Sequence, residues 1–432
     1  MKCLVIKPAG LTGEVYIPPS KSMAHRAIFC ASLAEGRSVI DNIEMSDDIL
    51  STCQAVISLG AEIKTKDSII PGRKKLIVRG NGTVSVVNDR INCGESGTTA
   101  RFVMPVSRLT DEPATFEGKG KLISRPFDVF FPIFDASNIT YEITDGKLPM
   151  TLKGRLKPGN YSIRGDVSSQ FISGLLLALP LLDGDSEIHI TTRPESEAYI
   201  DMTIHMQRFF GVSIHFDKEK SRLIIPGRQK YMPRDYTVEG DWSQSAFWLA
   251  AGVMSGRVSV SGLNENSLQG DKVIEKIIKE MGGKVYWEDG RLIAEKSRLR
   301  GISVDVSQCP DLAPILAVLG AVCEGKMEIL NGYRLRIKES DRIKAIVSEL
   351  GNLGADIHEK GDNIVINGIE RLAGGKTNSW NDHRIVMSVA IAAVLCENNV
   401  IIEGFNAVNK SYPSFWDHYQ SLGGNTVEQC LG

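Results

Sequence analysis

The chain has 432 residues, 42% of them hydrophobic, and a formal net charge of −2. That length fills more than one core, and the near-even charge excludes a global positive field for nucleic acid. The longest apolar runs, Phe171–Leu182 and Leu312–Cys323, are too short to span a bilayer, and Lys7 and Pro8 interrupt Met1–Lys7 before a signal-peptide core forms. The eight cysteines (Cys3, Cys30, Cys53, Cys93, Cys309, Cys323, Cys396 and Cys430) include no Cys-x-x-Cys pair, so they read as small buried thiols of a reducing, cytoplasmic compartment.

Glu14–Ile17 alternates like a short strand and runs into Pro18-Pro19-Ser20-Lys21-Ser22-Met23-Ala24-His25-Arg26. The diproline forbids helix before Ser20, so Ser20 or a neighbour caps the apolar helix that follows, with Gly36 as its stop. Lys21, Ser22 and Arg26 then sit in the first two turns, where free N–H groups and the helix dipole already favour an anion. Taken alone, such a stretch is equally well a capped helix with solvated charges.

The pattern recurs, however. A strand, a small polar turn, an apolar helix and a glycine stop appear over Glu14–Gly36, Val86–Thr110, Tyr161–Gly184, Tyr236–Gly256, Ile302–Gly325 and Asn378–Glu397. Between copies lies a second helix ended by glycine, clearest at Gly60, Gly211, Gly282 and Gly354. Each unit reads β-α-β-β-α-β or close to it. The six divide into three and three, with chain crossings at 18–20 and within 226–235. The expected lobes are therefore 20–228, and 1–19 together with 229–432. If the helices after the polar turns are parallel within each lobe, six positive helix ends face one cleft.

The polar turns differ in what they carry. Gly94-Glu95-Ser96-Gly97-Thr98-Thr99-Ala100-Arg101 brings glycines and an arginine but no Walker lysine. Arg125-Pro126 follows the flexible basic loop Gly118–Lys121. Ser168-Ser169-Gln170 offers two hydroxyls and an amide at a helix start. Leu335–Arg342 is the richest segment, with Lys338 and Arg342 four apart on one helix face and Glu339 beside them. Asn381-Asp382-His383-Arg384 lacks a second histidine at ligand spacing, so Arg384 reads as an anion clamp and Asp382 and His383 as hydrogen-bonding groups. Lys410 adds one more cation in a loop. Asp311 and Glu339 stand out as carboxylates among cations, suited to acid–base work.

These motifs, in this order, closely resemble the enolpyruvyl transferase family, and within it the 3-phosphoshikimate 1-carboxyvinyltransferases, over about Lys7 to Pro413. The resemblance implies a two-lobed inside-out α/β barrel with three repeated βαβαββ-type units per lobe. It implies that Lys21, Ser22, Arg26, Ser168, Ser169, Gln170, Ser196, Asp311 and Lys338 bind shikimate 3-phosphate. Likewise Lys21, Gly97, Arg125, Gln170, Arg342, Arg384 and Lys410 would hold phosphoenolpyruvate. Asp311 takes the place of the proton acceptor and Glu339 that of the donor, with Lys21 as a third catalytic group. No cofactor, metal, nucleic acid or membrane is expected, and the chain is expected to be a monomer.

Two positions depart from the family pattern. Glu95-Ser96 stands where Asn-Ala usually precedes the glycine, and Arg334 stands where an asparagine often meets the shikimate substrate. Two alternatives compete. The related transferase acting on UDP-N-acetylglucosamine carries a reactive cysteine in its mobile loop, and Gly118–Arg125 has none. A non-catalytic anion-binding repeat scaffold would make the charges dispensable.

Overall fold

The structure, a computed structural model, describes residues 2–430, and the side chain of Cys430 lies outside what is described. The chain divides into two compact units. The first is Lys21–Val238; the second joins Met1–Ser20 to Glu239–Gly432. Each unit has its own hydrophobic core.

The described residues form six four-stranded sheets with one shared topology. In the sheet built from Asn160–Ile163, Ser186–Ile190, Arg222–Ile225 and His215–Asp217, the first pair is parallel and the other two pairings are antiparallel. The helix Ser169–Ala178 makes the parallel crossover, and Ala198–Phe209 leads into the final hairpin. The unit order is thus β-α-β-α-β-β. This is the βαβαββ order that the resemblance implies and corrects the β-α-β-β-α-β order read from the repeat, because both helices precede the hairpin rather than flanking it. A parallel pair needs a crossover helix, whereas the antiparallel hairpin closes with a tight turn.

The glycine stops at Gly60, Gly211, Gly282 and Gly354 all have φ between 88° and 95°, which ends each second helix where side chains are disfavoured. Gly36 does not act that way. The first helix ends at Leu33, and Gly36 lies within the strand Glu35–Ile43, paired with Gly80.

The two chain crossings exchange strands. Gly13–Tyr16 leads into the helix Lys21–Leu33 but pairs parallel to Arg257–Ser261 of the second unit. Tyr236–Thr237 leads into the helix Trp242–Ser255 but pairs parallel to Glu35–Ile43 of the first. The latter pairing, with the Asp235 carboxylate accepting from Val39 N, keeps 229–238 with the first unit, past the boundary expected at 228.

The crossover helices are the interiors of the units. Ala313–Ala321 and His383–Ala392 are buried at every position, and Trp242 and Trp248 are wholly buried in the second core. Helices with no polar face leave only their ends for chemistry.

Candidate active site

In the first unit, candidate groups gather at helix starts. Gly97 opens the helix Gly97–Ser107, capped by the Ser96 hydroxyl, which accepts from Thr99 N at 3.2 Å. A Cβ at Gly97 would lie 2.6 Å from Arg125 Nη1 and 3.2 Å from Arg101 Nη1, so two guanidinium groups rest against its bare backbone. Arg101 Nη1 donates to Gln170 Oε1 at 2.7 Å, and Gln170 Nε2 donates to Thr98 Oγ1 at 2.7 Å. Ser168 caps the helix Ser169–Ala178 by accepting from Gln170 N. Gly97, Arg125 and Gln170 therefore converge, with Arg101, Thr98 and the two serines beside them. The departing Glu95 is turned to the basic loop, its carboxylate seated on Gly120 where any Cβ would meet it at 2.6 Å.

Lys21 opens its helix and pairs with Asp48 at 2.6 Å. Asp48 lies in the first turn of the helix Asp47–Ser58, where an acidic residue reads as ordinary dipole complementarity, so nothing in the sequence singles it out. Arg26 points inward, 1% exposed. It donates to Ser22 O (2.8 Å), Thr203 Oγ1 (2.8 Å), Tyr199 O (2.9 Å) and Ser173 Oγ (3.4 Å). It thereby ties the first helix to Ser169–Ala178 and Ala198–Phe209. Ser196, just before the latter, is buried with φ 54°.

His25 is buried, and desolvation, reinforced by Lys21 and Arg26, holds its pKa well below the usual histidine range. Its Nδ1 shares a hydrogen bond with Thr52 Oγ1, which meets Thr99 Oγ1, both at 2.7 Å, and Thr99 donates to the Ser96 cap.

In the second unit the cations are laced with carboxylates. The expectation that Lys338 and Arg342 share a helix face is corrected. Tyr333–Ile337 is a 3₁₀ turn, Lys338 is extended, and the α-helix begins only at Arg342, where Asp341 caps it by accepting from Lys344 N. Lys338 and Arg342 meet instead through Asp311, whose Oδ1 lies 3.3 Å from Lys338 Nζ and 2.7 Å from Arg342 Nη1. Arg384 adds its Nη2 at 3.3 Å from Asp311 Oδ2 and donates from Nη1 to the Asp311 carbonyl.

Arg342 is the hub. Besides Asp311 it donates from Nη2 to Glu339 Oε2 at 2.7 Å and from Nε to Asp382 Oδ2 at 2.8 Å. Asp382 is fully buried, accepts from Ser340 Oγ at 3.0 Å and caps the helix His383–Ala392 by accepting from Arg384 N at 2.9 Å. Lys410 Nζ donates to the Asn381 carbonyl at 2.6 Å. Asp311, Lys338, Glu339, Arg342 and Arg384 form one connected cluster, and Lys410 joins it through the Asn381–Asp382 backbone.

The electrostatics follow from this lacing. Burial alone would raise the Asp311 pKa, but Arg384, Lys338 and Arg342 outweigh it and hold the carboxyl well below the usual range. Asp382 is likewise lowered, Arg342 overcoming its burial. Burial pulls Lys338 down to about 8, against the pull of Asp311 and with help from Arg334 and Arg342. Asp271, which accepts a hydrogen bond from Ser243, is pushed up to about 6 by burial and by the Asp311 charge. Nothing in the sequence signals Asp271, since a lone Gly-Asp before a helix reads as a turn. Among the described residues no three His, Cys, Asp or Glu side chains group as metal ligands.

Residues 5–419 match the family described as EPSP synthase (3-phosphoshikimate 1-carboxyvinyltransferase). The chain is 46% identical over 432 residues to the 3-phosphoshikimate 1-carboxyvinyltransferase of Clostridium kluyveri, with all of both chains covered. It is 48% identical over 435 residues to that of Clostridium acetobutylicum, again with full coverage of both. Among solved structures it superposes on EPSP synthase from Acinetobacter baumannii with a TM-score of 0.81 at 24% identity, covering all of both chains. The connected acid–base cluster, the repeated fold and this full-length similarity agree, and the chain belongs to the EPSP synthase family.

Proposed function

We propose that Glu339 and Asp311 are the acid and the base of the family's reaction in this chain. The reaction moves the 1-carboxyvinyl group of phosphoenolpyruvate to the 5-hydroxyl of shikimate 3-phosphate and releases phosphate. One observation carries the assignment of roles: a single buried guanidinium, Arg342, holds both carboxylates at 2.7 Å. Two oppositely tasked carboxyl groups are thus fixed within the span of one side chain.

In this reading Glu339 gives a proton to the methylene carbon of phosphoenolpyruvate, which makes C2 electrophilic. The 5-hydroxyl oxygen bonds to C2 as its proton passes to Asp311, giving a tetrahedral intermediate. The C2–O bond to phosphate then breaks, Glu339 takes a proton back from the new methyl group, and Asp311 returns its proton to the departing phosphate. Both groups end as they began. Phosphoenolpyruvate brings a carboxylate and a phosphate that compete for Arg342 and Arg384. As it takes their donors, the positive field at Asp311 weakens and Asp311 gains basicity.

The substrate contacts are assigned on the same grounds. In the first unit Lys21, Ser22, Arg26, Ser168, Ser169, Gln170 and Ser196 serve shikimate 3-phosphate, and Lys21, Gly97, Arg125 and Gln170 serve phosphoenolpyruvate. In the second, Asp311 and Lys338 serve the former, and Arg342, Arg384 and Lys410 the latter. Lys21 also balances charge on the phosphate as it leaves. Planar, fork-shaped guanidinium groups suit both anions of phosphoenolpyruvate. We further infer a cytoplasmic monomer. The seven cysteines with described side chains are buried free thiols, as a reducing compartment keeps them, and among the described residues no helix is long and apolar enough to cross a membrane.

The test is phosphate release from phosphoenolpyruvate with and without shikimate 3-phosphate. Release that requires shikimate 3-phosphate is expected; release only with an aminosugar nucleotide, or none, overturns the reading.

A further inference from the structure

The loop between the strand Gly375–Asn378 and the helix His383–Ala392 contains two consecutive left-handed residues, Trp380 (φ 51°) and Asn381 (φ 53°). Asparagine tolerates that region; a bulky tryptophan there is an outlier that persists only where its surroundings over-determine it.

The surroundings centre on one buried carboxylate. Glu349, near the end of the helix Arg342–Asn352, is 2% exposed. It accepts from Trp380 Nε1 at 2.7 Å, from the backbone N–H of Asn378 at 2.8 Å and from Asn352 Nδ2 at 3.5 Å. Among the described residues no lysine or arginine pairs with it. A buried carboxylate satisfied by neutral donors alone is costly to keep, and its two closest donors are Trp380 in this loop and Asn378, the strand residue that enters it. Within the turn Trp380 N donates to Asn378 Oδ1, Asn381 N to Ser379 Oγ and Asp382 N to the Ser379 carbonyl, while Ser379 N reaches across to the Glu403 carbonyl at 2.9 Å.

The left-handed pair aims the Asn381 carbonyl at Lys410 Nζ, 2.6 Å away, and delivers Asp382 to Arg342. One helix therefore grips the loop twice, with Arg342 at its start and Glu349 two turns later. The first grip sets Asp382 and the second sets the backbone before it.

We propose that Glu349 is a positioning residue for the phosphoenolpyruvate end of the site. By holding Trp380 in the left-handed region it fixes the carbonyl that seats Lys410 and the approach of the chain to Arg384. The proposal rests on the reading that Lys410 and Arg384 hold phosphoenolpyruvate. Without the Glu349 bond, Trp380 relaxes toward ordinary backbone angles, the carbonyl swings away and Lys410 loses its seat.

The experiment compares Glu349→Ala, Glu349→Gln and Trp380→Phe with wild type in steady-state kinetics and thermal melts. Trp380→Phe deletes one donor and little else, so it carries the test if Glu349→Ala fails to fold. Glu349→Ala should raise KM for phosphoenolpyruvate roughly 10-fold, leaving KM for shikimate 3-phosphate near wild type and kcat within about 3-fold. Trp380→Phe should fall part of the way, and Glu349→Gln, which keeps one of the two acceptor oxygens, should recover only part of the loss. A lowered melting temperature with the phosphoenolpyruvate KM unchanged, or both KM values rising together, overturns the proposal. Lys410→Ala is the control. If it raises the phosphoenolpyruvate KM while the Glu349 and Trp380 variants do not, this proposal alone falls. If it does not, the site assignment falls and takes the proposal with it.

Discussion

Arg26 and Arg342 are both arginines with almost no exposed surface, one in each unit, and they are held by opposite means. Arg26 is surrounded by hydroxyls and carbonyls, and burial pushes its pKa down to about 10, opposed only weakly by Tyr199 and Cys30. Arg342 is buried as deeply, but Asp382, Glu339 and Asp311 reverse the effect of burial and lift it above the ordinary arginine range. A neutral cradle makes a buried cation a bolt between helices. A carboxylate cradle makes it an electrostatic centre that sets the protonation of its neighbours. On the proposed reading, the contrast assigns acid–base work to the second unit and rigid presentation of helix starts to the first.

The sharpest way to break that contrast is to remove each arginine. Arg342→Met leaves Asp382 buried without its cation and should cost roughly 3–5 kcal/mol in denaturant melts near neutral pH. Arg26→Met leaves Thr203 and Ser173, already hydrogen-bonded to each other at 2.8 Å, and should cost only about 1–3 kcal/mol. The pH dependence separates them further. Asp311 and Asp382 are lowered in the folded state, so their stabilisation is complete above the unfolded Asp pKa of about 3.9 and is lost as pH falls below it. The deficit of Arg342→Met should therefore hold level from pH 7 to about pH 4 and shrink only in melts taken below about pH 3.9, while that of Arg26→Met stays level. Equal and pH-independent losses would erase the distinction.

A smaller effect sharpens the division of labour. Glu339→Gln keeps the size of the side chain but cannot give a proton, and should cut kcat by roughly 10²-fold or more with the melt little changed. Wild-type turnover would remove Glu339 from the acid role.

The smallest effect is a pH limb. Lys338 titrates near 8 in the folded protein, so it loses its charge as pH rises through that value. KM for shikimate 3-phosphate should climb several-fold, on the order of 5-fold, between about pH 7.5 and 9, and Lys338→Arg should abolish the climb. A flat profile in wild type would mean that Lys338 does not meet shikimate 3-phosphate.

Much of this was legible in the chain. The six strand–turn–helix copies and the glycine stops at Gly60, Gly211, Gly282 and Gly354 are local features, and local propensity decides them. The cations were legible too, because Lys21, Arg125, Arg342, Arg384 and Lys410 sit in polar turns or at helix starts. Their partners were less so. Asp48, Asp271 and Glu349 look like ordinary helix-terminal or surface acids, since nothing in one turn of sequence says which way a carboxylate faces once the helices pack. Leu335–Arg342 misled for the same reason: its spacing fits one helix face, but the Asp341 cap starts the helix later and Asp311, from another segment, joins Lys338 to Arg342.

By itself, then, the sequence determined what is short-range: the repeated unit, the helix starts, the inventory of cations and the two candidate carboxylates. The tertiary structure decided which strands the two crossings exchange, which acid faces which base, and how Arg342 and Glu349 grip one loop from a single helix. Those pairings join residues tens to hundreds of positions apart, and only burial turns a charge that water would screen into one that shifts its neighbours.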